Sequence, residues 1–406
     1  MRERWGECAL RELADVDVDR VPVEASESYR QAGVLSFGRG LFERGVLQGA
    51  ATSYAYLHRL HRHQLVMSKL KAWEGAFAIV PAEFDGYVLS PEFPTYTVRL
   101  GRVDPGYLGL VVSEPAFREL VKVKSKGMGG RKERVNPRAL LDVVIPLPPL
   151  PEQRRIVDLI QRTQDSEMAA EAEHTAAVAA LNALREDLIA RHGARERTLR
   201  EVLADIDGGV SPVTEGRAPV DGERAVLKLS AVRPARFAPA ESKAVAPSVA
   251  LPERALVRVG DVLITRSNTP ETVGFVCYVD AVRPDTYLSD LTLRLHPTSG
   301  VDRRYLTQAL NTGDARRQIM GSAKGTSGSM RKISRSTIRD IRVPICNSLT
   351  EQGKIADTLE SASVLADSAR NSAHRLASLR SALLADLLSG DHEIPPSYDR
   401  FLDAAS

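Results

Sequence analysis

Two long stretches of the chain repeat apolar residues at alternating spacings of three and four. The first covers residues 154–191, which contain no Pro and no Gly, and the second covers residues 354–389. Such a heptad pattern places an apolar seam along one side of a helix, which then needs a partner helix. Polar residues interrupt the first seam at Thr163, Glu167 and His174. The residues expected to pair the two helices are Ile156, Leu181, Leu184, Leu188, Ile355, Leu359, Leu376, Leu383 and Leu387.

The ends of both predicted helices carry helix-terminating signals. Gly193 and Gly390 follow the last periodic residues, as expected for C-caps. At ~1.5 Å per residue, the first helix would be roughly 57 Å long. Because each seam alone would be exposed apolar surface, we expect the two helices to pair as an antiparallel coiled coil with pseudo-twofold symmetry. The alternative is that each helix packs only on its own globule.

The remaining segments contain short β-like runs broken by Gly and Pro. Examples are residues 64–68 and 261–265, and short helices are plausible around residues 116–123 and 305–320. We therefore predict an α+β fold with two tandem mixed α/β globules, each followed by a long helix. The predicted segments are a first globule (1–149), a helix (150–193), a second globule (194–347), a helix (348–390) and a tail (391–406).

The two halves of the chain repeat one another. Residues 126–147 align without a gap on residues 324–345, so that Asp142 meets Asp340 and Pro146 meets Pro344. Shorter matches upstream follow in the same order, including residues 10–12 on 199–201 and 97–100 on 292–295. One short match could arise by chance, but an ordered series over half the chain indicates a tandem duplication.

Bulk composition excludes several protein classes. A hydrophobic fraction of 43% with 26% charged residues is ordinary for a globular protein and argues against wholesale disorder. The apolar runs are too short to span a bilayer, and no secretory signal is visible. Cys8, Cys277 and Cys346 lie far apart and are odd in number, which argues against a disulfide framework or a zinc knuckle. We expect a cytoplasmic protein with no membrane segment and no bound metal.

Positive charge is concentrated in two places although the net charge is only +3. One concentration lies within residues 122–134 and the other within residues 316–342, at equivalent places in the two repeats. Local concentration matters more than the total for binding a polyanion, although a charge run is usually a solvated face. Two globules held apart by a rigid spacer would suit duplex DNA, whose dimeric readers space their recognition elements by roughly 34 Å.

Side-chain chemistry supplies the candidate DNA contacts. Arg and Lys favour guanine edges, Asn favours adenine, and hydroxyls bind phosphate or base. Cations beside Gly-rich turns are suited to phosphate. The candidates are Ser68, Lys69, Lys71, Trp73, Lys124, Lys126, Arg131, Lys132, Thr265, Arg266, Ser267, Asn268, Lys324, Arg331 and Lys332.

One segment resembles a known family. Residues 145–153, Ile-Pro-Leu-Pro-Pro-Leu-Pro-Glu-Gln, lead into the first long helix, and the second copy keeps Pro344, Glu351 and Gln352. This segment resembles type I restriction–modification specificity subunits, in which two target-recognition domains alternate with two long conserved helices. Gly260-Asp261 also fits the family pattern, whereas the first copy has His63-Gln64 at that place.

The resemblance implies a chain without catalytic chemistry of its own. Each recognition domain would bind one half of a bipartite, asymmetric DNA site. Two methyltransferase subunits carrying S-adenosylmethionine, and ATP- and Mg-dependent restriction subunits, would dock on the helices. No cofactor is expected on this chain. The expected docking residues are Pro146, Pro149, Glu152, Gln153, Pro344, Glu351 and Gln352.

Signals for an active site are weak. Asp104-Pro105-Gly106-Tyr107 departs from a methyltransferase motif at its third residue, and no phosphate-binding Gly-x-x-x-x-Gly-Lys-Ser/Thr loop is present. His58, His61 and His63 lack partner ligands at a useful spacing. Two alternatives remain open: a coiled-coil scaffold or adaptor of a related DNA-modification or defence system, and a stand-alone nuclease or methyltransferase with an unrecognised site.

Overall fold

The computed structural model describes residues 5–124, 134–193, 195–327, 330–390 and 392–403. The chain divides into two compact units. Unit 1 comprises Met1–Ala169 and Ala373–Ser406, and unit 2 comprises Ala170–Ser372. Both boundaries fall inside the long helices, so each unit contains one globule together with half of each helix. The predicted segments 150–193 and 348–390 are therefore shared between the units rather than separate from them.

The first globule is built from short strands and three short helices. The strands are β1 (Gly6–Ala9), β2 (Ala14–Val16), β3 (Asp19–Pro22), β4 (Ser28–Val34), β5 (Leu41–Gln48), β6 (Tyr56–Arg59), β7 (Leu65–Met67), β8 (Phe77–Ile79), β9 (Val88–Leu89), β10 (Thr95–Val98) and β11 (Val144–Leu147). The helices are α1 (Pro105–Ser113), α2 (Pro115–Lys124) and α3 (Pro137–Leu140), followed by the long helix α4 (Leu150–His192). The strands form sheets ordered β2-β10-β7-β8, β3-β6-β9-β4-β5 and β1-β11.

The second globule follows α4. Its strands are β12 (Arg195–Thr198), β13 (Leu203–Gly208), β14 (Ala225–Leu227), β15 (Val232–Arg233), β16 (Arg236–Phe237), β17 (Ser242–Ala244), β18 (Val262–Thr265), β19 (Ser267–Asn268), β20 (Val276–Tyr278), β21 (Thr286–Tyr287), β22 (Thr292–Pro297), β23 (Lys324–Ser327), β24 (Met330–Lys332) and β25 (Arg342–Ile345). Its helices are α5 (Leu199–Val202), α6 (Arg303–Leu310), α7 (Gly313–Ser322) and α8 (Arg335–Arg339), and the chain ends with the long helix α9 (Leu349–Ser389) and α10 (Asp399–Asp403). The sheets are ordered β13-β22-β18-β20, β17-β14-β21, β19-β24-β23, β15-β16 and β12-β25.

The sequence repeat is also a structural repeat. The four-stranded sheets β2-β10-β7-β8 and β13-β22-β18-β20 correspond, as do the pairs β1-β11 and β12-β25. Asp104 caps α1 and Asp302 caps α6, each by accepting two backbone N–H groups. The hydroxyls of Tyr107 and Tyr305 donate to the carbonyls of the aligned prolines, at 2.9 and 3.1 Å. The five-stranded sheet of the first globule has no counterpart of the same order among the described strands of the second.

The long helices pack together within each unit. In unit 1, the first half of α4 and the second half of α9 share one hydrophobic cluster with the core of the first globule. Ile156 and Ile160 meet Leu384 and Leu387 in this cluster. Leu383 packs against it, whereas Leu376 is half-buried. The predicted pairing of helices and their packing on a globule therefore occur together, because both surfaces are apolar.

In unit 2, the second half of α4 and the first half of α9 pack in the same way. Ile189, Ile355 and Leu359 are buried in the core of the second globule. The predicted helix-pairing residues Leu181, Leu184 and Leu188 of α4 are partly buried and pack against this core. The helices run antiparallel, since His174 faces the carbonyl of Ala366 whereas His192, further along α4, faces Glu351 nearer the start of α9. The predicted α+β fold with paired long helices is confirmed.

The segment after α9 returns to the start of α4 in unit 1. Ile394 is buried in the core of the first globule, and its N–H donates to Glu152 Oε1 at 2.7 Å. Arg155 forms two hydrogen bonds with Asp399, at 2.6 and 2.9 Å, and the Tyr398 hydroxyl donates to Asp158. The predicted tail is thus an ordered part of unit 1 over residues 392–403.

Candidate nucleic-acid interface

Equivalent segments follow the third strand of the corresponding four-stranded sheets. The Ser68 N–H donates to Ala76 and the Thr265 N–H donates to Phe275 at the matching place. Immediately after each of these residues, the carbonyls of Lys69 and Arg266 accept the N–H groups of Val135 and Ile333, respectively. The two sequence segments proposed for DNA contact therefore occupy one structural position in both globules.

In the second globule, this position brings most of the predicted residues together on one small sheet. Strand β19 pairs with β24, which places Asn268 opposite Arg331 and Ser267 opposite Lys332. Strand β24 also pairs with β23, which places Lys332 opposite Lys324. Asn268, separated from Lys324 by more than fifty residues in sequence, thus lies on the same three-stranded sheet.

The cationic side chains of this sheet differ in their exposure and in whether they bond to other groups of the protein. Arg331 Nη1 is within 3.4 Å of the Ala323 carbonyl. The side chains of Arg266, Lys324 and Lys332 are exposed, and no ion pair engages them within the described part of the chain. These three side chains are therefore available to a polyanion. Asn268 lies on the same sheet; its Oδ1 accepts the Thr269 N–H at 3.0 Å, and its amide group remains a donor.

Two predicted contacts of the second globule lie in the interior. Thr265 is fully buried; its hydroxyl donates to the Thr272 carbonyl at 3.1 Å and accepts the Phe275 N–H at 3.0 Å. Ser267 is also buried. The prediction that these hydroxyls contact DNA is therefore corrected: Thr265 instead closes the turn that presents Arg266.

In the first globule, the corresponding side chains are bound internally. Lys69 Nζ donates to the Pro91 carbonyl at 2.7 Å, and Lys71 Nζ pairs with Glu74 at 2.6 Å. The Lys71 ammonium lowers the pKa of the Glu74 carboxyl below its ordinary value by this hydrogen bond. Trp73 is half-buried and donates from Nε1 to Leu70. Ser68 is buried and accepts the Lys71 N–H, so a DNA-contacting role for its side chain is corrected.

Several predicted cations of the first globule cannot be placed. Lys126, Arg131 and Lys132 lie outside the described residues, and Lys124 ends α2 with its side chain undescribed. The structure therefore gives no position to the phosphate-binding prediction for this part of the chain.

Two of the residues predicted to dock partner subunits, Gln153 and Gln352, link the globules to the long helices. The side chains of Gln153 and Gln352 are fully buried, and each Oε1 accepts the N–H of the helix-capping aspartate at 2.7 Å. Each Nε2 donates to a carbonyl in the segment before the long helix, at 2.8 Å for Pro148 and 2.7 Å for Cys346. The two glutamines therefore act as equivalent internal clips, which we define as buried side chains whose hydrogen bonds link a globule to the start of a long helix.

The other residues predicted to dock partner subunits differ in how exposed their side chains are. Glu152 is buried between Arg155 and Ile394, so for Glu152 and the two glutamines the prediction of direct partner contact is corrected. Glu351 is half-buried beside His192 and Lys354. The prolines Pro146 and Pro344 are half-buried, and Pro149 is exposed.

Sequence reasoning missed an arginine that recurs in both globules. Arg118 packs on Gly75, and Arg316 lies beside the aligned Gly274. Arg316 Nη1 donates to the carbonyls of Val273 and Gly274, at 3.0 and 2.6 Å. Burial lowers the pKa of the Arg316 guanidinium. The repeat alignment places these arginines together, but nothing in their local sequence shows that they face inward.

Two of the three neighbouring histidines, His58 and His61, contact other groups of the protein. His58 is buried and its Nδ1 lies 2.8 Å from the Phe93 carbonyl, whereas His61 pairs with Asp19. Within the described ranges, no group of three potential metal ligands occurs, and no helix is long and apolar enough to cross a membrane.

Comparison with known proteins gives two kinds of likeness. No family model matches the chain. The type I restriction enzyme EcoEI specificity subunit of Escherichia coli is 28% identical over 173 residues, which is 40% of this chain and 29% of that protein. The matched region thus spans less than a third of the curated relative.

Two solved structures share the fold over nearly the whole chain. One, from work on complex assembly and conformational transition of the type I R-M system, has a TM-score of 0.60 at 17% identity and covers 97% of this chain and 99% of its own. The type I restriction–modification S subunit of M. genitalium has a TM-score of 0.55 at 12% identity, covering 95% and 97%. In local sequence and in fold, the chain is similar to the specificity subunits of type I restriction–modification systems.

Proposed function

We propose that this chain is the DNA-specificity subunit of a type I restriction–modification system and performs no catalysis itself. Each globule recognises one half of a bipartite, asymmetric DNA site. The local similarity to the EcoEI specificity subunit and the fold shared with solved S subunits support this proposal.

One observation carries the proposal. The two globules hold different side chains at one backbone position: Lys69 in the first corresponds to Arg266 in the second, by the same pattern of main-chain hydrogen bonds. Lys69 is half-buried and bonded to the Pro91 carbonyl, whereas Arg266 is exposed. A duplicated scaffold that keeps its backbone and varies the polar groups it carries is suited to recognising two different base sequences, because sequence is distinguished by side-chain contacts with base edges.

The long helices supply the proposed docking surface for two methyltransferase subunits. Helix α9 exposes Val364 and Leu365 in unit 2, and Met168 of α4 and Leu379 of α9 are exposed in unit 1. Contiguous exposed apolar surface marks protein interfaces, and Val364 and Leu365 are adjacent on α9. S-adenosylmethionine, ATP and Mg would be bound by the partner methyltransferase and restriction subunits.

The test is selection from a random-sequence duplex pool, using the full chain alone and together with an adenine methyltransferase partner. Enrichment of a split motif supports the proposal. Failure to enrich any motif in either form would overturn it and favour the scaffold alternative, whereas methyl transfer or cleavage by the chain alone would favour an enzyme.

A point variant sharpens the assignment. Arg266→Ala should weaken binding at one half-site by ~1–3 kcal/mol if the guanidinium contacts a base. Lys243→Ala removes an exposed cation of strand β17 in the same globule and serves as the matched control. Equal loss on every DNA sequence would instead identify Arg266 as a phosphate contact.

A further inference from the structure

The loop between β4 and β5 is fixed against the candidate DNA-contact segment of the first globule. The Phe37 N–H donates to Glu74 and the Gly38 N–H donates to Gly75, both at 2.9 Å. Ser36 Oγ donates to Glu74 Oε2 at 3.0 Å. These bonds seat the loop on the turn that directly follows Lys71 and Trp73.

Phe37 has a backbone conformation that bulky residues rarely adopt. Its φ is +66°, in the left-handed region, where a side chain meets steric resistance that Gly avoids. The ring gains little burial in return, because the residue is 58% exposed. Gly38 has the same φ, and any side chain there would collide with Ser113, so this part of the loop approaches the end of α1 closely. Strained residues held by their surroundings concentrate at functional sites.

One cation contacts the exposed ring, and two more lie on the same loop or on the neighbouring segment. The Arg118 guanidinium carbon lies 5.3 Å from the Phe37 ring centroid, and Arg39, fixed by a bond from Nε to the Ser36 carbonyl, is exposed in the same loop. Lys71 lies on the neighbouring segment and is bonded to Glu74, the residue that also holds the loop. An exposed aromatic ring among cations is suited to a ligand that is both a polyanion and a stack of flat bases.

The second globule has a different structure at this place. There the guanidinium of Arg316 lies 4.8 Å from the ring of Phe275 and donates to the carbonyls of Glu271, Val273 and Gly274. Phe275 is half-buried and has no positive φ. The exposed ring is therefore a feature of the first globule rather than of the duplicated scaffold.

We propose that Phe37 is a base-contacting residue of the first globule, placing its ring against a base of the half-site that this globule recognises. This inference rests on the proposed DNA-specificity function. An apolar side chain can contact two kinds of group on DNA. One is the face of a base where two neighbouring base pairs are unstacked, and the other is the methyl group of thymine.

The test compares Phe37→Asn and Phe37→Tyr with the unmodified full chain, assembled as for the duplex selection. Asn tolerates the left-handed conformation, so Phe37→Asn should keep or raise the thermal midpoint while weakening the first half-site about tenfold or more. Phe37→Tyr keeps the ring and should keep binding. A purely structural role for the ring predicts instead that stability and binding change together.

The matched control is Leu100→Asn, which removes a side chain that is 57% exposed on the connection between β10 and α1 of the same globule. If the unmodified chain selects a split motif but Phe37→Asn binds both half-sites normally, this inference is overturned and the proposed function stands. If the unmodified chain selects no motif, both are overturned.

Two modified duplexes distinguish the sources of contact. A rise in 2-aminopurine fluorescence within the first half-site, seen with the unmodified chain and absent with Phe37→Asn, indicates an opened base step. Loss of affinity on replacing thymine by uracil, again only with the Phe37 ring present, indicates the methyl group. Absence of both effects contradicts base contact.

Discussion

Replacing Gln352 by Ala should destabilise the isolated chain. The carboxamide is fully buried and makes two short hydrogen bonds, with the Asp302 N–H and the Cys346 carbonyl, both at 2.7 Å, and a longer one at 3.3 Å with Gly300. Without it, the Asp302 N–H and the Cys346 carbonyl of the main chain lose their partners. Each such orphan costs ~1–3 kcal/mol, so we expect a loss of about 2–6 kcal/mol.

The assay is urea unfolding of the purified chain without any partner, combined with hydrogen exchange at the start of α6. Gln153→Ala offers a matched comparison, because Gln153 makes equivalent bonds at 2.7 and 2.8 Å in unit 1. It should destabilise by a similar amount and accelerate exchange at the start of α1 instead. Gln352→Glu keeps the acceptor but places a carboxylate oxygen against the Cys346 carbonyl in a buried site, so at neutral pH it should destabilise at least as much as Ala.

The opposite result is clearly defined. If the glutamines contact a partner subunit, Gln352→Ala would leave urea unfolding of the isolated chain within about 0.5 kcal/mol of the unmodified value and would lower only the affinity for the partner. That outcome would refute the interpretation of the glutamines as internal clips. Lys354→Ala, an exposed neighbour on α9, controls for general effects at this helix end.

Two further predictions concern the returning tail and a glycine of the second globule. Because the Arg155 guanidinium lowers the pKa of the Asp399 carboxyl, their bond should hold the tail at pH values above about 3.9, the ordinary carboxyl value, and be lost as the pH falls through the lowered pKa. Hydrogen exchange of residues 392–403 should show this transition in the unmodified chain and not in Asp399→Asn, whose tail should exchange moderately faster at neutral pH because Ile394 and Tyr398 still hold it; identical profiles would contradict it. Gly274→Ala should cost about 2–4 kcal/mol, because φ is +71° and the added methyl would collide with Ile319. Gly216→Ala, at φ +75° with open space around it, isolates the backbone contribution in the same urea assay and should cost clearly less.

The long helices and the repeat could be predicted from the sequence because both depend on periodic patterns. The heptad spacing identified Ile355 and Leu359, which are buried as expected. The sequence also showed the polar residues that interrupt the first apolar seam, but it did not show which groups they contact. Glu167 pairs with Arg380 at 2.7 Å and His174 faces the Ala366 carbonyl, contacts that depend on the register between two distant segments.

The orientation of individual polar side chains could not be predicted. The Glu-Gln motif at the start of each long helix indicated the family resemblance, yet Glu152 and Gln153 face inward because a buried helix start has main-chain groups to satisfy. Likewise, Thr265 and Arg266 are adjacent in sequence, but Thr265 ends the fully buried strand β18, whereas Arg266 lies between β18 and β19 and is exposed. A local motif does not specify which residue faces the solvent until the sheet is known.

The division of the chain into units has a consequence for biosynthesis. Unit 2 is a single continuous stretch, Ala170–Ser372, whereas unit 1 requires both Met1–Ala169 and Ala373–Ser406. During synthesis on the ribosome, all residues of unit 2 are therefore translated before unit 1 is complete. Ile156 of unit 1 cannot pack against Leu387 and Ile394 until these last residues have been synthesised. A nonsense mutation near residue 372 would thus leave the second globule complete. The first globule would lose part of its hydrophobic core, although the codons for residues 1–169 would be intact.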